Sequence, residues 1–178
     1  MLCKREGCNL PTVGKSSYCR QHRGEAHKAW VANIQAQAAE RADRDQSFKA
    51  VFAEAWEAGK LAAEACRPIP IVVYTPAAPF GDESVPDLTQ PIYYVDDGVC
   101  GFAWITIYPG NCAAANYAKK HYNASAAYGG GVQIWISYFN QCYARKQAFA
   151  CAAAEVLRAK LPAIDLRVKG VYSGDRLD

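Results

Sequence analysis

The sequence lacks the apolar run of roughly 18 residues that a membrane-spanning helix needs. No apolar stretch that could serve as a secretory signal follows its first residues either. We therefore expect a soluble, cytoplasmic protein with no membrane partner. Strong net charge is missing too, because 20 Lys and Arg residues stand against 17 Asp and Glu residues, for a net charge of +3. Bulk charge this mild identifies no partner, so only local clusters of charge can argue for one.

The sequence also lacks the common signatures of enzymes. A serine-hydrolase elbow, kinase motifs and the glycine fingerprint of dinucleotide-binding proteins are all missing. The glycines at 129–131 are not followed by the Lys-Ser/Thr pair of a phosphate-binding loop, which indicates a flexible turn. With only three histidines in the chain, pairing of Cys112 or Cys142 with His121 in a catalytic site stays a minor alternative. We expect a protein that is not an enzyme.

What the chain does have is enough apolar sequence to fold. Its 178 residues are 51% hydrophobic and 12% aromatic, which fits one ordinary domain with a small appendage. Residues 1–23 form a short, basic segment, residues 24–66 an alanine-rich segment, and residues 67–178 the main domain. In the second segment, apolar residues recur at spacings of three and four, which predicts one long helix. A break near residues 43–47 is the alternative.

The third segment alternates between strand and helix patterns, which predicts an α+β fold. We expect a mixed sheet of four to five strands with two helices on one face. The predicted elements are a strand at 71–74, a proline-rich loop at 75–91, a hairpin of strands 92–95 and 100–108, a helix from Asn111 to about 122, a strand at 132–138, a helix at 140–161 and a strand at 164–172.

Four residues at the start of the chain form a metal-ligand pattern. Cys3 and Cys8 are followed by Cys19 and, three residues later, by His22. Zinc prefers four tetrahedral ligands drawn from thiolate and imidazole, and pairs of ligands on short turns can supply them. Because the chain has no export signal, its cysteines should stay reduced and free to bind metal. His27 is the second choice for the fourth ligand.

This Cys3His segment resembles zinc-knuckle and treble-clef modules. The resemblance implies a structural Zn²⁺ ion, since four protein ligands leave no open position for catalysis. Five basic residues surround the ligands, and they are candidate contacts to the phosphates of nucleic acid. A solvated basic face is the alternative. These residues are Lys4, Arg5, Lys15, Arg20 and Arg23.

The stretch GFAWITIY at residues 101–108 resembles the RNP1 strand of an RNA-recognition motif, in which aromatic rings stack on bases. Strand geometry puts Phe102, Trp104 and Tyr108 on one face of the sheet. The strand at 71–74 is expected to be its neighbour. The alternative is that these rings belong to the hydrophobic core.

From Cys100 onward the chain resembles a group of small, uncharacterised bacteriophage proteins. The shared pieces are the GFAWI segment at 101–105, the YGG segment at 128–130 and an alanine-rich helix near the end. The resemblance implies a phage origin and favours an interaction protein over an enzyme, but this group has no established activity to carry over. Together with the Cys3His segment, we expect a zinc-containing accessory protein in the host cytoplasm that binds nucleic acid or a host or viral complex that processes it. Further phosphate contacts are expected from Lys119, Lys120, Arg145 and Lys146. The alternative is a virion protein that packs through its long helix as a homo-oligomer or in a capsid.

Overall fold

A computed structural model describes residues 1–78 and 83–178 of the chain. Part of the predicted proline-rich loop, residues 79–82, lies outside the described residues. The α+β class is confirmed. The elements are α1 (Arg20–Ala65), β1 (Ile71–Val73), β2 (Tyr93–Val95), β3 (Gly101–Tyr108), α2 (Ala113–His121), β4 (Ser125–Ala126), β5 (Val132–Trp135), α3 (Tyr143–Ile164) and β6 (Gly170–Leu177).

The long helix is continuous, as the alanine-rich pattern predicts. It covers 46 residues from Arg20 to Ala65 and does not break at 43–47. It starts four residues before the predicted position, so His22 already lies in its first turn. Contacts divide the chain into two compact units at this same stretch, Met1–Gln46 and Ser47–Asp178. All buried residues of α1 belong to the second unit, at helical spacing: Phe48, Phe52, Ala55, Gly59 and Ala63.

In the first unit, the segment before α1 is held by backbone hydrogen bonds between its two arms. The Cys3 N–H donates to Leu10 O at 3.0 Å, and the Lys4 N–H donates to Ser17 O at 3.0 Å. Gly7 and Gly14 take positive φ values of 77° and 61°, which glycine adopts without strain. The turns therefore fold back tightly enough to bring residues of both arms together.

Residues 101–177 of the second unit follow the order β3-α2-β4-β5-α3-β6. The four strands form one sheet in the order β4-β5-β3-β6, and every neighbouring pair is antiparallel. Both crossovers use a helix. This is the β-α-β-β-α-β arrangement of ferredoxin-like folds, and it makes β3 and β5 the two central strands.

The core lies between the inner face of this sheet and the helices. Ala103, Ile105 and Ile107 of β3 are fully buried, together with Phe149 and Leu157 of α3. The second half of α1 packs into the same cluster. Gly59 of α1 faces the ring of Phe149 so closely that an added Cβ would lie 2.9 Å from it. A side chain at position 59 would therefore push α1 away from α3.

The predicted hairpin of strands 92–95 and 100–108 is wrong. Residues at 93–95 pair with β1 in a separate two-stranded sheet, while β3 pairs with β5 and β6. The turn itself forms, with the Gly98 N–H donating to Val95 O at 3.1 Å. Beyond the turn, β3 pairs within the main sheet, where its apolar inner face becomes buried. Strand β2 is exposed along its length, so pairing with β2 would not bury that face. The main sheet is also antiparallel throughout and not mixed.

Several predicted boundaries move for local reasons. Helix α3 does not start at Asn140, because Phe139 and Asn140 have positive φ values of 66° and 49°. It continues to Ile164 with Pro162 inside it, so the last strand is β6 and not 164–172. Strand β5 ends at Trp135, and the short β4 was not predicted. Helix α2 is capped by Cys112 and not by Asn111.

None of the helices in residues 1–78 and 83–178 has the length and apolar character needed to cross a membrane.

Asp165 ties the end of α3 to the start of α2. One carboxylate oxygen accepts hydrogen bonds from the N–H groups of Ala113 at 2.6 Å and Ala114 at 3.2 Å. The other accepts from the Arg167 N–H at 3.2 Å. Burial raises the pKa of this carboxyl group, but the hydrogen bonds together lower the pKa by more than burial raises it. The pKa therefore lies below its ordinary value.

We predict that Asp165→Asn removes a stabilising charge from the start of α2. The loss should be about 1.5–3 kcal/mol of unfolding free energy at pH 7, the range for hydrogen bonds to charged groups. Because the folded pKa is depressed, the wild-type advantage is complete above the unfolded value of about 3.9 and disappears as pH falls through the folded value. Urea unfolding between pH 2 and 7 measures this.

The matched control is Asp96→Asn, which neutralises an exposed carboxylate in the turn after β2. Its unfolding curve should follow that of the wild type across the same range. Equal unfolding free energies for Asp165→Asn and wild type at pH 7 would contradict the capping role.

Candidate functional site

The four predicted metal ligands come together in the first unit. Cys3, Cys8, Cys19 and His22 place their ligand atoms within 4.8 Å of one another. Cys3 and Cys8 come from the first arm of the segment. Cys19 precedes α1 directly, and His22 lies one turn into the helix, so helical spacing of three puts both on the same side. These residues could hold a metal ion.

The distances suit a tetrahedral ion with the bond lengths of zinc. Such an ion separates two sulfur ligands by about 3.8 Å and a sulfur from a nitrogen ligand by about 3.6 Å, given its usual bond lengths. The Nδ1 atom of His22 lies 3.5 Å from the sulfurs of both Cys3 and Cys19. The sulfurs of Cys8 and Cys19 are 3.9 Å apart. Three edges of the expected tetrahedron are therefore already formed.

The electrostatics around the sulfurs favour one thiolate and oppose the next. Burial raises the pKa of Cys3, but backbone N–H groups of Cys19 and Arg5 and the nearby His22 lower it to about 6. At Cys8 the N–H of Leu10 lowers the pKa, yet burial and the neighbouring sulfurs of Cys19 and Cys3 outweigh it and the net pKa is raised. A bound cation would offset this repulsion between sulfurs.

His27, the second choice for the fourth ligand, is not in this group. Its ring lies against Trp30 one turn further along α1, with 5.7 Å between centroids. Because α1 already starts at Arg20, His22 faces the cysteines. The structure thus brings together the four residues of the Cys3His pattern.

The basic residues of the first unit are exposed, as phosphate contacts require. Arg5 forms an ion pair with Glu25 at 3.7 Å, and a surface pair of this kind contributes little to stability. Exposure alone does not distinguish phosphate contacts from a solvated basic face. The exposed residues are Lys4, Arg5, Lys15, Arg20 and Arg23.

In the second unit, the outer face of the four-stranded sheet carries a group of aromatic rings. Phe102, Trp104 and Tyr108 lie on this face of β3, as predicted, and each is half-buried while the inner residues are fully buried. Register adds Trp135 of β5 beside Trp104, with 5.0 Å between ring centroids. Tyr172 of β6 lies 6.0 Å from Tyr108. We call these five rings the aromatic face.

Glycines let these rings lie close to the sheet. Gly174 pairs with Trp104, and an added Cβ there would lie 2.5 Å from the indole nitrogen. At Gly131 an added Cβ would lie 2.8 Å from the ring of Tyr108. The rings therefore lie directly over backbone positions that have no side chain, so no neighbouring side chain at these positions projects beyond them.

The positively charged side chain of Arg176 also lies against the aromatic face. The guanidinium carbon of Arg176, which pairs with Phe102 across the sheet, lies 5.2 Å from the centre of the Phe102 ring. This is within the range of a cation–π contact. The side chain of Arg176 is otherwise exposed, so it adds positive charge at the edge of the rings.

The sequence analysis missed Trp135 and Tyr172 and chose the wrong neighbour for β3. The expected neighbour, 71–74, belongs to the separate two-stranded sheet, and the actual neighbours are β5 and β6. The available signal was the alternation at 132–138, which puts Trp135 on the face opposite Ile134. Trp135 also borders a cleft of about 450 Å³ whose wall includes Trp56, Tyr122 and Tyr138.

The secondary candidates differ in their availability. Lys146 is buried and donates to Gly101 O at 3.1 Å, so its predicted phosphate contact is wrong. Lys119 donates to Gly110 O at 2.7 Å but stays exposed, as does Lys120. Arg145 is half-buried, and its Nε has no hydrogen-bond partner within the described residues.

The alternative of a catalytic pair between Cys112 and His121 is wrong. Cys112 caps the first turn of α2, where its sulfur accepts from the Ala115 N–H at 3.4 Å, and His121 ends the same helix. Nine residues of helix separate the two side chains by about 13 Å. Burial raises the pKa of Cys112, which favours the unreactive thiol.

Comparisons with protein families, with curated proteins and with solved structures found no match to this chain. Neither the zinc-knuckle resemblance nor the bacteriophage resemblance therefore gains support from a relative.

We predict that the first unit binds one metal ion per chain and that Cys19→Ser weakens this binding at least tenfold, since removing one ligand opens the tetrahedral shell. Titration of the reduced protein with Co²⁺, followed by its thiolate charge-transfer absorbance, measures the affinity. Cys151→Ser is the matched control, because this exposed cysteine of α3 is outside the cluster. Equal Co²⁺ affinity for Cys19→Ser and Cys151→Ser would contradict the site.

Proposed function

We propose that this protein is a non-enzymatic binder of single-stranded nucleic acid that stacks bases on the aromatic face of its sheet. The observation that carries this proposal is the cluster of Phe102, Trp104 and Trp135 on the two central strands β3 and β5. Single strands offer unstacked bases, and a base stacked on an aromatic side chain contributes about 1–3 kcal/mol to binding.

The arrangement of the sheet supports this choice of ligand. Four antiparallel strands with helices on one face leave the other face for a ligand, and RNA-recognition motifs use the two central strands of such a sheet to stack two or three bases. The fold alone does not imply the function. The rings themselves support a binding role, because they are half-buried or exposed where core residues would be covered. Trp135, for example, is 44% exposed.

Positive charge beside the rings suits a phosphate backbone. Arg176 lies over Phe102 at the edge of the aromatic face, and the exposed Lys119 and Lys120 lie at the end of α2. In the first unit, the exposed basic residues around the metal ligands supply further phosphate contacts in this proposal. Each such contact adds affinity that is sensitive to salt.

The metal in this proposal is Zn²⁺, and its role is structural. Three sulfurs and one imidazole nitrogen are the donor set of structural zinc sites, and four protein ligands complete the tetrahedron. The segment before α1 has no core of its own beyond the cysteines, so metal binding would supply its folding free energy. The exposed basic residues keep their positions only while the ion holds the two arms together.

The resemblance to bacteriophage proteins favours an accessory role in an infected host cell, with nucleic acid or a complex that processes it as the partner.

A second candidate function is assembly into a virion through α1. The observation that favours it is that residues 20–46, all described, include no buried residue, and Trp30 is 59% exposed. Native mass spectrometry with and without a pool of RNA and DNA separates the two, since assembly predicts a discrete homo-oligomer without nucleic acid.

We predict that Trp104→Leu and Trp135→Leu each lower the affinity for a single-stranded oligonucleotide by about tenfold, because each removes a stacking surface but keeps an apolar side chain. Fluorescence anisotropy of a labelled oligonucleotide measures the affinity. Quenching of tryptophan fluorescence should accompany binding in the wild type.

Tyr94→Leu is the matched control, because Tyr94 is an exposed aromatic residue in the separate two-stranded sheet. Its affinity should equal that of the wild type. If both tryptophan variants bind as tightly as Tyr94→Leu, base stacking on this face is refuted.

We predict that alanine at Arg5, Lys15, Arg20 and Arg23 weakens binding and flattens its salt dependence. Each lost contact to a single strand should reduce the slope of log affinity against log salt by about 0.7. Lys49→Ala removes an exposed positive charge in the second unit and serves as the control. This variant should change the slope by no more than the value for one contact. An unchanged slope in the fourfold variant would limit binding to the aromatic face.

A further inference from the structure

Cys100 and Cys142 face each other at the point where β3 begins and α3 begins. They form an isolated antiparallel bridge outside the named strands. The Tyr143 N–H donates to Val99 O at 3.1 Å, so this hydrogen bond joins the neighbours of the two cysteines and not the cysteines themselves. The two residues are therefore a non-hydrogen-bonded pair, the closest kind of pair in an antiparallel ladder.

This register suits a disulfide bond. A non-hydrogen-bonded pair has its Cα atoms about 4.5 Å apart, which falls at the lower end of the roughly 4.4–6.8 Å found in disulfides. Residues paired in an antiparallel bridge also direct their side chains to the same side of the bridge. The backbone pairing is therefore compatible with a bond between the two sulfurs.

Four of the other six cysteines have different roles. Cys3, Cys8 and Cys19 belong to the metal cluster, and the sulfur of Cys112 accepts a hydrogen bond that caps α2. By contrast, Cys142 occupies the N-cap position of α3 without any cap hydrogen bond from its side chain. Its sulfur is thus not used in capping the helix.

We propose that Cys100 and Cys142 are a thiol–disulfide site that small disulfides such as glutathione disulfide oxidise reversibly. Cys100 is exposed and Cys142 is buried, which sets the order of the steps. The thiolate of Cys100 attacks glutathione disulfide, forms a mixed disulfide and releases one glutathione thiolate. The thiolate of Cys142 then attacks the Cys100 sulfur and displaces the second glutathione. The two protein thiols lose two protons and two electrons, and the electrons reduce one glutathione disulfide to two glutathione molecules.

The test is to treat the 178-residue, zinc-loaded protein with glutathione disulfide, alkylate the free thiols and map peptides without reduction. Chymotrypsin is the suitable protease, because cleavage after Phe102, Trp104 and Tyr108 separates Cys100 from Cys112. We expect a linked Cys100–Cys142 peptide, a mass about 2 Da lower for the unalkylated protein through loss of two thiol hydrogens, and full reversal by dithiothreitol.

Variants assign the two roles. Cys142→Ser should accumulate the glutathione adduct on Cys100, Cys100→Ser should form neither product, and the control Cys151→Ser should behave as the wild type. A wild-type protein that keeps glutathione on Cys100, or that links Cys100 to another cysteine or to a second chain, overturns the proposal. Because the wild-type peptide map decides this by itself, a variant that fails to fold does not leave it open. Nucleic-acid binding does not enter the readout.

Discussion

The alternation of side chains along β3 is the constraint on which the second unit depends. Ala103, Ile105 and Ile107 are fully buried against the helices, and this fixes which way Phe102, Trp104 and Tyr108 point. A shift of one residue in register would put the rings into the core and the aliphatic side chains into water. The same burial that stabilises the fold therefore presents the aromatic face. Structure and candidate function cannot vary independently on this strand.

The two units obtain their order from different sources. Burial of apolar surface holds the second unit together, with Phe149 and Leu157 of α3 packed under the sheet. The segment before α1 has only the cysteines Cys3 and Cys19 as buried apolar residues. Such a short segment cannot bury enough surface to offset its conformational entropy. A metal ion bound to the four ligands would supply the difference, so the ligand geometry would matter more there than any side-chain packing.

The sequence was informative through two local signals. Ligand spacing predicted that Cys3, Cys8, Cys19 and His22 meet, and period-two alternation predicted the face of β3. It failed where partners are distant along the chain, since neither the pairing of β2 with β1 nor the place of Trp135 beside Trp104 is encoded nearby. Asp165 shows the same limit, because it caps a helix that begins 52 residues earlier. Local turn chemistry explains the remaining errors, as with the positive φ of Asn140.

The glycines beneath the rings have a consequence for how such a surface could be recognised or lost. Gly174 has no side chain with which to contact a stacked base, yet a side chain there would occupy the space in which the Trp104 indole lies. A substitution at position 174 would tilt the ring away from the sheet and leave the aromatic composition of the chain unchanged. Counting aromatic residues would miss that change. The aromatic face depends as much on the two glycines beneath it, Gly131 and Gly174, as on the five residues that carry rings.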